Sequence, residues 1–345
     1  MTTVESAPAA VDPALIEMMD AVFGAHRSTG TPTSTFEYDD ALWRRLDELG
    51  LVRLTGQESK GGSGAGWFEA AELLAAAVRH GVRIPLAEHD LLACWLLDAN
   101  GMPYDDAVRT VAVLDDGRTS AAVPWARTAQ RIVVVWRVDG GYRLADASLE
   151  AVSVSERCNP IGEPRDSVTV DVSLLDGVPV ADRLVDQLIR KAAMIRAIQV
   201  CAALDRIVEL SIEHASTRVQ FGRPLSKFQT MQNLISDSAA EAALARSATE
   251  AALTAAVADS WATDRLDFMI AVARSCAGHA ASVVVRNGHQ IHGAIGTTRE
   301  HRLHEFTRAA LAWRSDYGSV DHWDSVVTDA ALAAGGSGLW SIITA

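Results

Sequence analysis

The sequence predicts an α+β chain, mostly α, built from an N-terminal helical domain, a small reduced middle β-domain and a C-terminal helical bundle. Two observations support this order. Alanine- and leucine-rich stretches with helical spacing fill both ends of the chain. Between them, short runs of β-branched residues are broken by Asp-Gly and Gly-Gly turns. We therefore expect domain boundaries at 1–108, 109–180 and 181–345.

Helices account for most of the predicted N-terminal domain. Asp39 or Asp40 can cap the second of them, because apolar residues begin to recur at helical spacing just afterwards. The glycine-rich stretch 60–66 lacks the GK[ST] ending of a phosphate-binding loop, so a flexible connection is expected there. The helices of this domain are predicted at 13–30, 39–50, 67–80 and 86–99.

The remaining elements follow from the change of pattern along the chain. From about residue 109, segments such as RIVVVWRVDGGYRLAD are typical of strands joined by tight turns. The helical pattern then returns in alanine-rich stretches. The C-terminal helices are predicted at 183–216, 226–258, 264–288 and 300–315.

Composition and charge exclude several classes of function. The 345 residues are 49% hydrophobic, and 31 Lys and Arg against 44 Asp and Glu give a net charge of −13. An acidic chain of this kind repels nucleic acid and anionic membranes. No signal peptide is expected, and no apolar run is expected to approach the roughly 18 residues of a membrane helix, so membrane insertion is not expected. Four widely spaced cysteines indicate reduced thiols in a cytoplasmic protein.

The stretch 217–232, TRVQFGRPLSKFQTMQ, holds the first group of candidate binding residues. Arg218 lies at the end of a long predicted helix, where its guanidinium fork suits a phosphate or pyrophosphate. Phe221 can offer an apolar face to a ring system, and Gln229 offers both a donor and an acceptor. The residues alone leave a structural alternative open, in which Arg218 pairs with Glu213 and Phe221 packs in the core.

A second stretch, QIHGAIGTTREHRLHEFTR from Gln290 to Arg308, lies at a predicted helix junction. Gly293 and Gly296 allow the backbone to approach a ligand closely, and exposed N–H groups at such a turn can receive an anion. The alternative is a plain glycine C-cap followed by a threonine N-cap.

Histidines are frequent in this region, but their spacing does not predict a metal site. His289 and His292 form one pair on a helix face, and His301 and His304 form another. No carboxylate joins either pair in a ligand pattern, and zinc or iron sites need three or four ligands. Solvated or hydrogen-bonded histidines are therefore expected.

Together with LWRRLDELGLVRL near the N-terminus, these two stretches resemble the acyl-CoA dehydrogenases, flavoenzymes that introduce a double bond next to a thioester. The resemblance implies that two subunits share each FAD, with the C-terminal domain of one holding the adenine and pyrophosphate end for its neighbour. Ala294 stands where the family usually has a second glycine, and its backbone N–H can still serve. The residues implied in holding FAD of a partner subunit are Arg218, Phe221, Gln229, Gln290, Gly293 and Ala294.

This sequence departs from the family where the catalytic base is expected. Tyr317 stands at the usual glutamate position, and a phenol with a pKa of about 10 is a poor base near neutral pH. The alternative position used by some relatives falls near Ala192, with no acid at hand. Asp316 is adjacent to Tyr317, but a shift of one residue on a helix turns the side chain by about 100°.

The region implied to contact the flavin ring departs as well. The stretch 121–130 is shortened, and Val123-Pro124 replaces the usual acidic-proline pair. Ser319 and Asp321 stand where threonine and glutamine commonly touch the flavin. The resemblance therefore indicates that the chain has lost its own flavin site and retains the half-site that it lends.

These features resemble the base-less subunit of heterotetrameric (α2β2) bacterial acyl-CoA dehydrogenases that act on CoA thioesters of steroid side chains. No catalytic residue is expected in this chain. The implied partners are a glutamate-bearing acyl-CoA dehydrogenase subunit, an acyl-CoA substrate and electron-transfer flavoprotein as acceptor. The stretch 239–256 has small-residue faces suited to a four-subunit core. Two alternatives stay open: a homo-oligomeric dehydrogenase with Asp316 as its base, and a non-catalytic helical scaffold.

Overall fold

The computed structural model describes residues 11–29, 37–263 and 265–344, which follow the predicted order of helices, strands and helices. Asp39 caps the second helix by accepting a hydrogen bond from the Leu42 N–H at 2.9 Å. The apolar stripe of that helix, including Leu46, is buried against its neighbours. The N-terminal helices are α1 (Pro13–Thr29), α2 (Asp40–Glu48), α3 (Trp67–His80), a π-helical segment (Ala87–Cys94) and α4 (Trp95–Ala99).

The glycine-rich stretch 60–66 is held by backbone hydrogen bonds, so the expected flexible connection is wrong. The N–H groups of Gly62 and Gly64 donate to the carbonyl oxygens of Gln57 and Gly56, at 3.0 and 2.8 Å. A Cβ atom added at Gly62 would overlap the carbonyl group of Gly56. The glycine is needed because two backbone segments meet face to face.

The π-helical segment replaces the first part of the α-helix predicted at 86–99. All eight of its residues are buried, including Glu88, His89 and Asp90. Each of the three has a polar partner from another segment. Glu88 accepts from the Arg196 guanidinium, and His89 accepts from the Arg109 N–H. Asp90 accepts from both the N–H and the hydroxyl of Thr55. The wide turn thus places consecutive polar residues inside the protein, and π-helical turns are frequent at functional sites.

Two small sheets form the middle region. The first sheet has the order β1-β3-β4-β7, with β1 parallel to β3 and the other pairs antiparallel; the second is antiparallel in the order β2-β6-β5. Alternate residues of β3 face different cores, since Val133 and Val135 pack on the helices whereas Ile132 and Val134 pack on the second sheet. The strands are β1 (Arg109–Val113), β2 (Thr119–Pro124), β3 (Arg131–Val138), β4 (Gly141–Ser148), β5 (Val152–Ser155), β6 (Arg165–Val170) and β7 (Val178–Val180).

Long helices and one short hairpin make up the C-terminal region. α5 has 36 residues, spans roughly 54 Å and packs against α3, α6, α7 and α8. Alanines such as Ala203, Ala245 and Ala281 are fully buried between these helices and let their backbones approach closely. The elements are α5 (Asp182–Thr217), β8 (Val219–Gln220), β9 (Arg223–Pro224), α6 (Gln229–Ala258), α7 (Arg265–His292), α8 (Leu303–Trp313) and α9 (Val320–Thr344).

A buried lysine of α5 contacts tryptophans of the N-terminal helices. Lys191 is 2% exposed, and its ammonium lies 4.6, 4.4 and 4.3 Å from the ring centroids of Trp67, Trp95 and Trp261. Burial lowers the pKa of Lys191 to about 7. The three indole faces provide the cation–π attraction that compensates a buried ammonium for lost hydration.

By length and composition, two helical segments are long and apolar enough to cross a membrane, so the expectation that none exists is wrong. The first, Arg265–Thr297, is a core segment whose most apolar window is 56% buried. The second, Val320–Thr344, is 0% buried in its most apolar window and bends at Gly335.

Because Gly62 faces the Gly56 carbonyl, we expect Gly62→Ala to lower the free energy of unfolding by about 1–3 kcal/mol through overpacking. The matched control is Gly336→Ala in α9, where an added Cβ meets nothing within 4 Å. Chemical unfolding followed by circular dichroism measures both. Equal stability of Gly62→Ala and the wild type would contradict the close approach.

Candidate functional site

Phe221 occupies the tip of a two-residue hairpin between β8 and β9. Phe221 and Gly222 have φ angles of 51° and 77°, which matches the mirror-image turn favoured in such hairpins. The side chain of Phe221 is 92% exposed, so the alternative in which it packs in the core is wrong. A non-glycine residue in this conformation with a solvent-exposed aromatic ring is a feature typical of a binding surface.

The polar residues of the first motif are exposed beside this hairpin. Arg218 follows the last residue of α5, and within the described ranges no carboxylate pairs with its guanidinium. The alternative pairing of Arg218 with Glu213 is therefore not formed. Gln229 is the first residue of α6, and its Nε2 donates to the Oδ1 of Asn233, one turn later, at 2.9 Å.

The second motif is exposed at the end of α7. Gln290 lies in the last turn of the helix, and Gly293 begins a short 3-10 segment with φ of 62°. A Cβ at Gly293 would meet nothing within 4 Å, so the glycine is required by its backbone conformation and not by crowding. Ala294 is exposed beside it. This conformation also fits an ordinary glycine C-cap.

A cluster of histidines joins the two motifs. The rings of His214 in α5 and His292 in α7 are stacked, with centroids 4.5 Å apart and planes at 24°. His301 completes the cluster at 4.6 Å from His292. His214 lies one helical turn before Arg218, and His292 directly precedes Gly293. The six predicted binding residues therefore lie at one end of the helical bundle, and we call them the motif surface.

At the position of the missing base, Tyr317 has a φ angle of 56° and lies with its ring centroid 5.5 Å from the Arg196 guanidinium. Although Tyr317 as a whole is 38% exposed, burial at its hydroxyl raises the pKa of Tyr317 to about 12. A phenol with such a pKa holds its proton throughout the physiological range. Tyr317 therefore provides no base.

Asp316 is held by two arginines. Its Oδ2 accepts from Arg165 Nη2 at 2.8 Å and from Arg196 Nε at 3.1 Å. Burial alone would raise the pKa of Asp316, but the positive charges of these arginines outweigh burial and hold its pKa below the ordinary value. A carboxylate whose pKa is lowered by two arginine contacts is a weak proton acceptor.

Asp316 belongs to a larger buried group that we call the ion network. Arg196 also contacts Glu88 at 2.8 Å, and Arg165 contacts Glu163 at 3.0 Å. Three arginines and three carboxylates make up this network, and they come from the N-terminal, β and C-terminal regions. The buried Arg274 adds a fourth positive charge beside it, since its Nη2 donates to the Asp316 carbonyl oxygen at 2.7 Å. The members are Arg83, Glu88, Glu163, Arg165, Arg196 and Asp316.

The space beside the ion network is nearly filled. The cavity there holds about 20 Å³, and Trp125, Trp313 and several network residues line it. Trp125 lies in the shortened stretch 121–130, has a φ of 59° and is buried. A volume of this size corresponds to about one water molecule. The space between the altered stretch and the ion network is therefore closed to a flavin ring or an acyl chain.

Sequence reasoning missed the ion network and the role of His214. Arg165 and Arg196 carry no local motif, since their shared partner Asp316 lies 151 and 120 residues away in the chain. His214 had one available signal: it lies four residues before Arg218 on the same helix face. The residue spacing within either motif does not predict which histidines contact His214 in the folded chain.

Comparison with known proteins agrees with this architecture. Residues 183–319 match the model of the acyl-CoA dehydrogenase C-terminal domain. The chain is 27% identical to acyl-CoA dehydrogenase IpdE2 of Mycolicibacterium smegmatis over 308 residues. This alignment covers 86% of this chain and 91% of IpdE2. The resemblance to acyl-CoA dehydrogenases and the predicted fold class, mostly α with a small β region, are both confirmed.

Two solved structures share the fold over nearly the whole chain. The ChsE4-ChsE5 complex from Mycobacterium tuberculosis gives a TM-score of 0.79 at 21% identity, covering 93% of this chain and 96% of that chain. The Tcur3481-Tcur3483 steroid ACAD gives a TM-score of 0.80 at 21% identity, covering 94% and 98%.

We expect Asp316→Asn to lower the free energy of unfolding by about 3–5 kcal/mol at pH 7, because it leaves buried arginines without compensation. The pKa of Asp316 is lowered in the folded protein, so the unfolded chain binds the proton more readily. The stabilisation is present above about pH 4 and is lost as pH falls through the folded-state pKa.

Denaturant unfolding at pH 7 and pH 3 measures this difference. Asp186→Asn serves as control, since Asp186 is exposed on α5. A destabilisation by Asp316→Asn that is equal at both pH values would contradict the assigned charge pairing.

Proposed function

Because this chain belongs to the acyl-CoA dehydrogenase family, we propose that it is the base-less subunit of a heteromeric, FAD-dependent acyl-CoA dehydrogenase. The observation that carries the proposal is the contrast between two regions. The cavity beside the ion network is nearly filled and neither Tyr317 nor Asp316 offers a base, whereas the motif surface is exposed. The chain then contributes a binding half-site, and a partner subunit contributes the catalytic glutamate.

The closed interior supports the absence of chemistry within this chain. The dehydrogenation requires a base that removes the proton next to the thioester, while FAD accepts the hydride. Tyr317 is protonated and Asp316 is bound to Arg165 and Arg196. A cavity of about 20 Å³ leaves no room for an acyl thioester.

The exposed motif surface supports a shared cofactor. A residue that holds a ligand seated in another subunit has to be unburied in the isolated chain. Arg218 would hold the pyrophosphate through its guanidinium, together with the backbone N–H groups of Gly293 and Ala294. Phe221 and Gln229 would contact the remaining ring and hydroxyl groups, with Gln290 beside them.

Exposed apolar side chains in the described part of the C-terminal region support association with other subunits. Leu332 is 74% exposed and Trp340 is 71% exposed, both on α9. Leu244 on α6, within the predicted stretch 239–256, is 57% exposed. Apolar side chains left exposed on such helices are typical of a surface that a subunit contact covers. We propose contacts of this kind in a heterotetramer.

The substrate class follows from the relatives. One similar structure is that of a steroid ACAD, so we propose the CoA thioester of a steroid side chain as substrate. Electron-transfer flavoprotein is the proposed acceptor, and the cytoplasm is the proposed location. The same chain in a homo-oligomer would have to use Asp316 as its base, and the two arginine contacts of Asp316 disfavour that alternative.

Flavin content tests the half-site. We expect the tag-free chain to be colourless alone and to yield the absorbance of oxidised flavin at about 450 nm when co-expressed with a glutamate-bearing homologue from the same source. About one FAD per pair of subunits is expected. Arg218→Met should reduce the FAD content of the complex by roughly tenfold through loss of the charged contact.

Arg183→Met, at the exposed first turn of α5, is the matched control and should leave the FAD content unchanged. A yellow chain with a full complement of FAD in the absence of the partner would refute the shared site. A scaffold without flavin chemistry would stay colourless in both preparations.

Activity of the complex tests the assignment of the base. We expect Tyr317→Phe to retain kcat within about twofold, because removing a hydroxyl that never loses its proton leaves the reaction unaffected. Substitution of the partner's glutamate by glutamine should abolish turnover. Dehydrogenation by this chain alone, supplied with FAD and an artificial electron acceptor, would instead favour Asp316 as the base.

A further inference from the structure

His214, His292 and His301, here called the histidine cluster, come from three separate segments. The sequence predicts no metal site, because the pairs His289–His292 and His301–His304 each offer too few ligands. The fold supplies the missing third ligand from α5. One ligand atom from each ring of the cluster lies within 4.8 Å of the others.

The orientation of His292 points to a ligand in this cluster. Its Nδ1 lies 2.7 Å from the carbonyl oxygen of Gly288, which can only accept a hydrogen bond, so the ring proton is on Nδ1. The lone pair of Nε2 is then available. His292 is 5% exposed, and Nε2 has no hydrogen-bond partner among the described residues. Backbone carbonyls orient metal-binding histidines in this same way.

We propose that the histidine cluster binds a divalent transition-metal ion, with Zn²⁺ as the best match, through one imidazole nitrogen of each histidine. Zn²⁺ prefers neutral imidazoles at about 2.0–2.1 Å, which places tetrahedral ligand atoms roughly 3.3 Å apart. His214 and His301 are half-buried, so side-chain rotation can close the present separation. A solvent molecule completes the fourth position.

Coordination changes one existing hydrogen bond. His301 Nδ1 accepts from the Leu303 N–H at 3.1 Å, so His301 carries its proton on Nε2 before the metal binds. Ligation through Nε2 moves this proton to Nδ1 and releases the Leu303 N–H to solvent. Glu213, whose negative charge acts on His301, offsets the positive charge of the ion.

Such an ion would connect the end of α5 to the segment that follows α7. These are the segments that carry Arg218 and Gly293, so the metal would fix the two halves of the motif surface relative to each other. The inference concerns the isolated chain and does not depend on flavin binding or on a partner subunit.

Zn²⁺ binding to the full-length, tag-free chain tests the proposal. After removal of metals with a chelator, isothermal titration calorimetry with Zn²⁺ should give about one ion per chain. The melting temperature should rise with added Zn²⁺, since the ligand binds the folded state. His214→Asn and His301→Asn should each weaken binding at least tenfold.

His279→Asn is the matched control, because exposed His279 pairs with Asp324 at 2.9 Å and this pair is the kind of surface site that binds zinc adventitiously. Its binding should equal that of the wild type. A Co²⁺ absorption spectrum of the wild-type chain is independent of variant folding, and intense tetrahedral bands are expected. No saturable binding, binding unaffected by both cluster substitutions, or an octahedral Co²⁺ spectrum would overturn the proposal.

Discussion

The buried ion network is the constraint on which the rest of the structure depends. Moving charged groups out of water is costly, so each arginine and carboxylate inside the protein must keep its partners. Those partners belong to all three regions: Glu88 to the π-helical segment, Arg165 to β6 and Asp316 to the turn after α8. The regions therefore have to pack in one arrangement, because a shift of any of them would leave a charge uncompensated.

The same constraint divides the molecule into a closed interior and an exposed binding surface. Enzymes usually keep their polar catalytic groups in a cleft that a ligand can enter. Here the polar groups in the corresponding region satisfy one another, and the cavity of about 20 Å³ is too small for a ligand. Potential binding groups lie outside instead, on the hairpin of Phe221 and the turn of Gly293.

Local patterns predicted what local physics determines. The order of helices and strands and the Asp39 cap followed from short stretches of sequence, because propensity and capping act over a few residues. The predicted binding residues came from the resemblance to the family and stay a prediction. The π-helical segment at Ala87–Cys94 could not be predicted, since it depends on partners such as Arg196 and Arg109. The His214–His292 stack likewise joins positions that no local pattern relates.

The prediction of a flexible connection at 60–66 was wrong because it rested on composition alone. Several glycines suggest a flexible chain, but here they permit close contact between two backbone segments. The alternative in which Phe221 packs in the core was wrong for a related reason. Hydrophobicity favoured burial, whereas the tight turn between β8 and β9 directs the ring into solvent.

The pairing of Asp316 with Arg165 and Arg196 also bears on the evolutionary history of the chain. A glutamate at position 317 would place a second carboxylate beside Asp316, next to arginines that already contact acidic partners. Under the proposed function, an independent catalytic centre would also require space near Trp125, where the cavity holds about 20 Å³. Several substitutions in the packed interior would then have to occur together before a chain of this kind could act without a partner subunit.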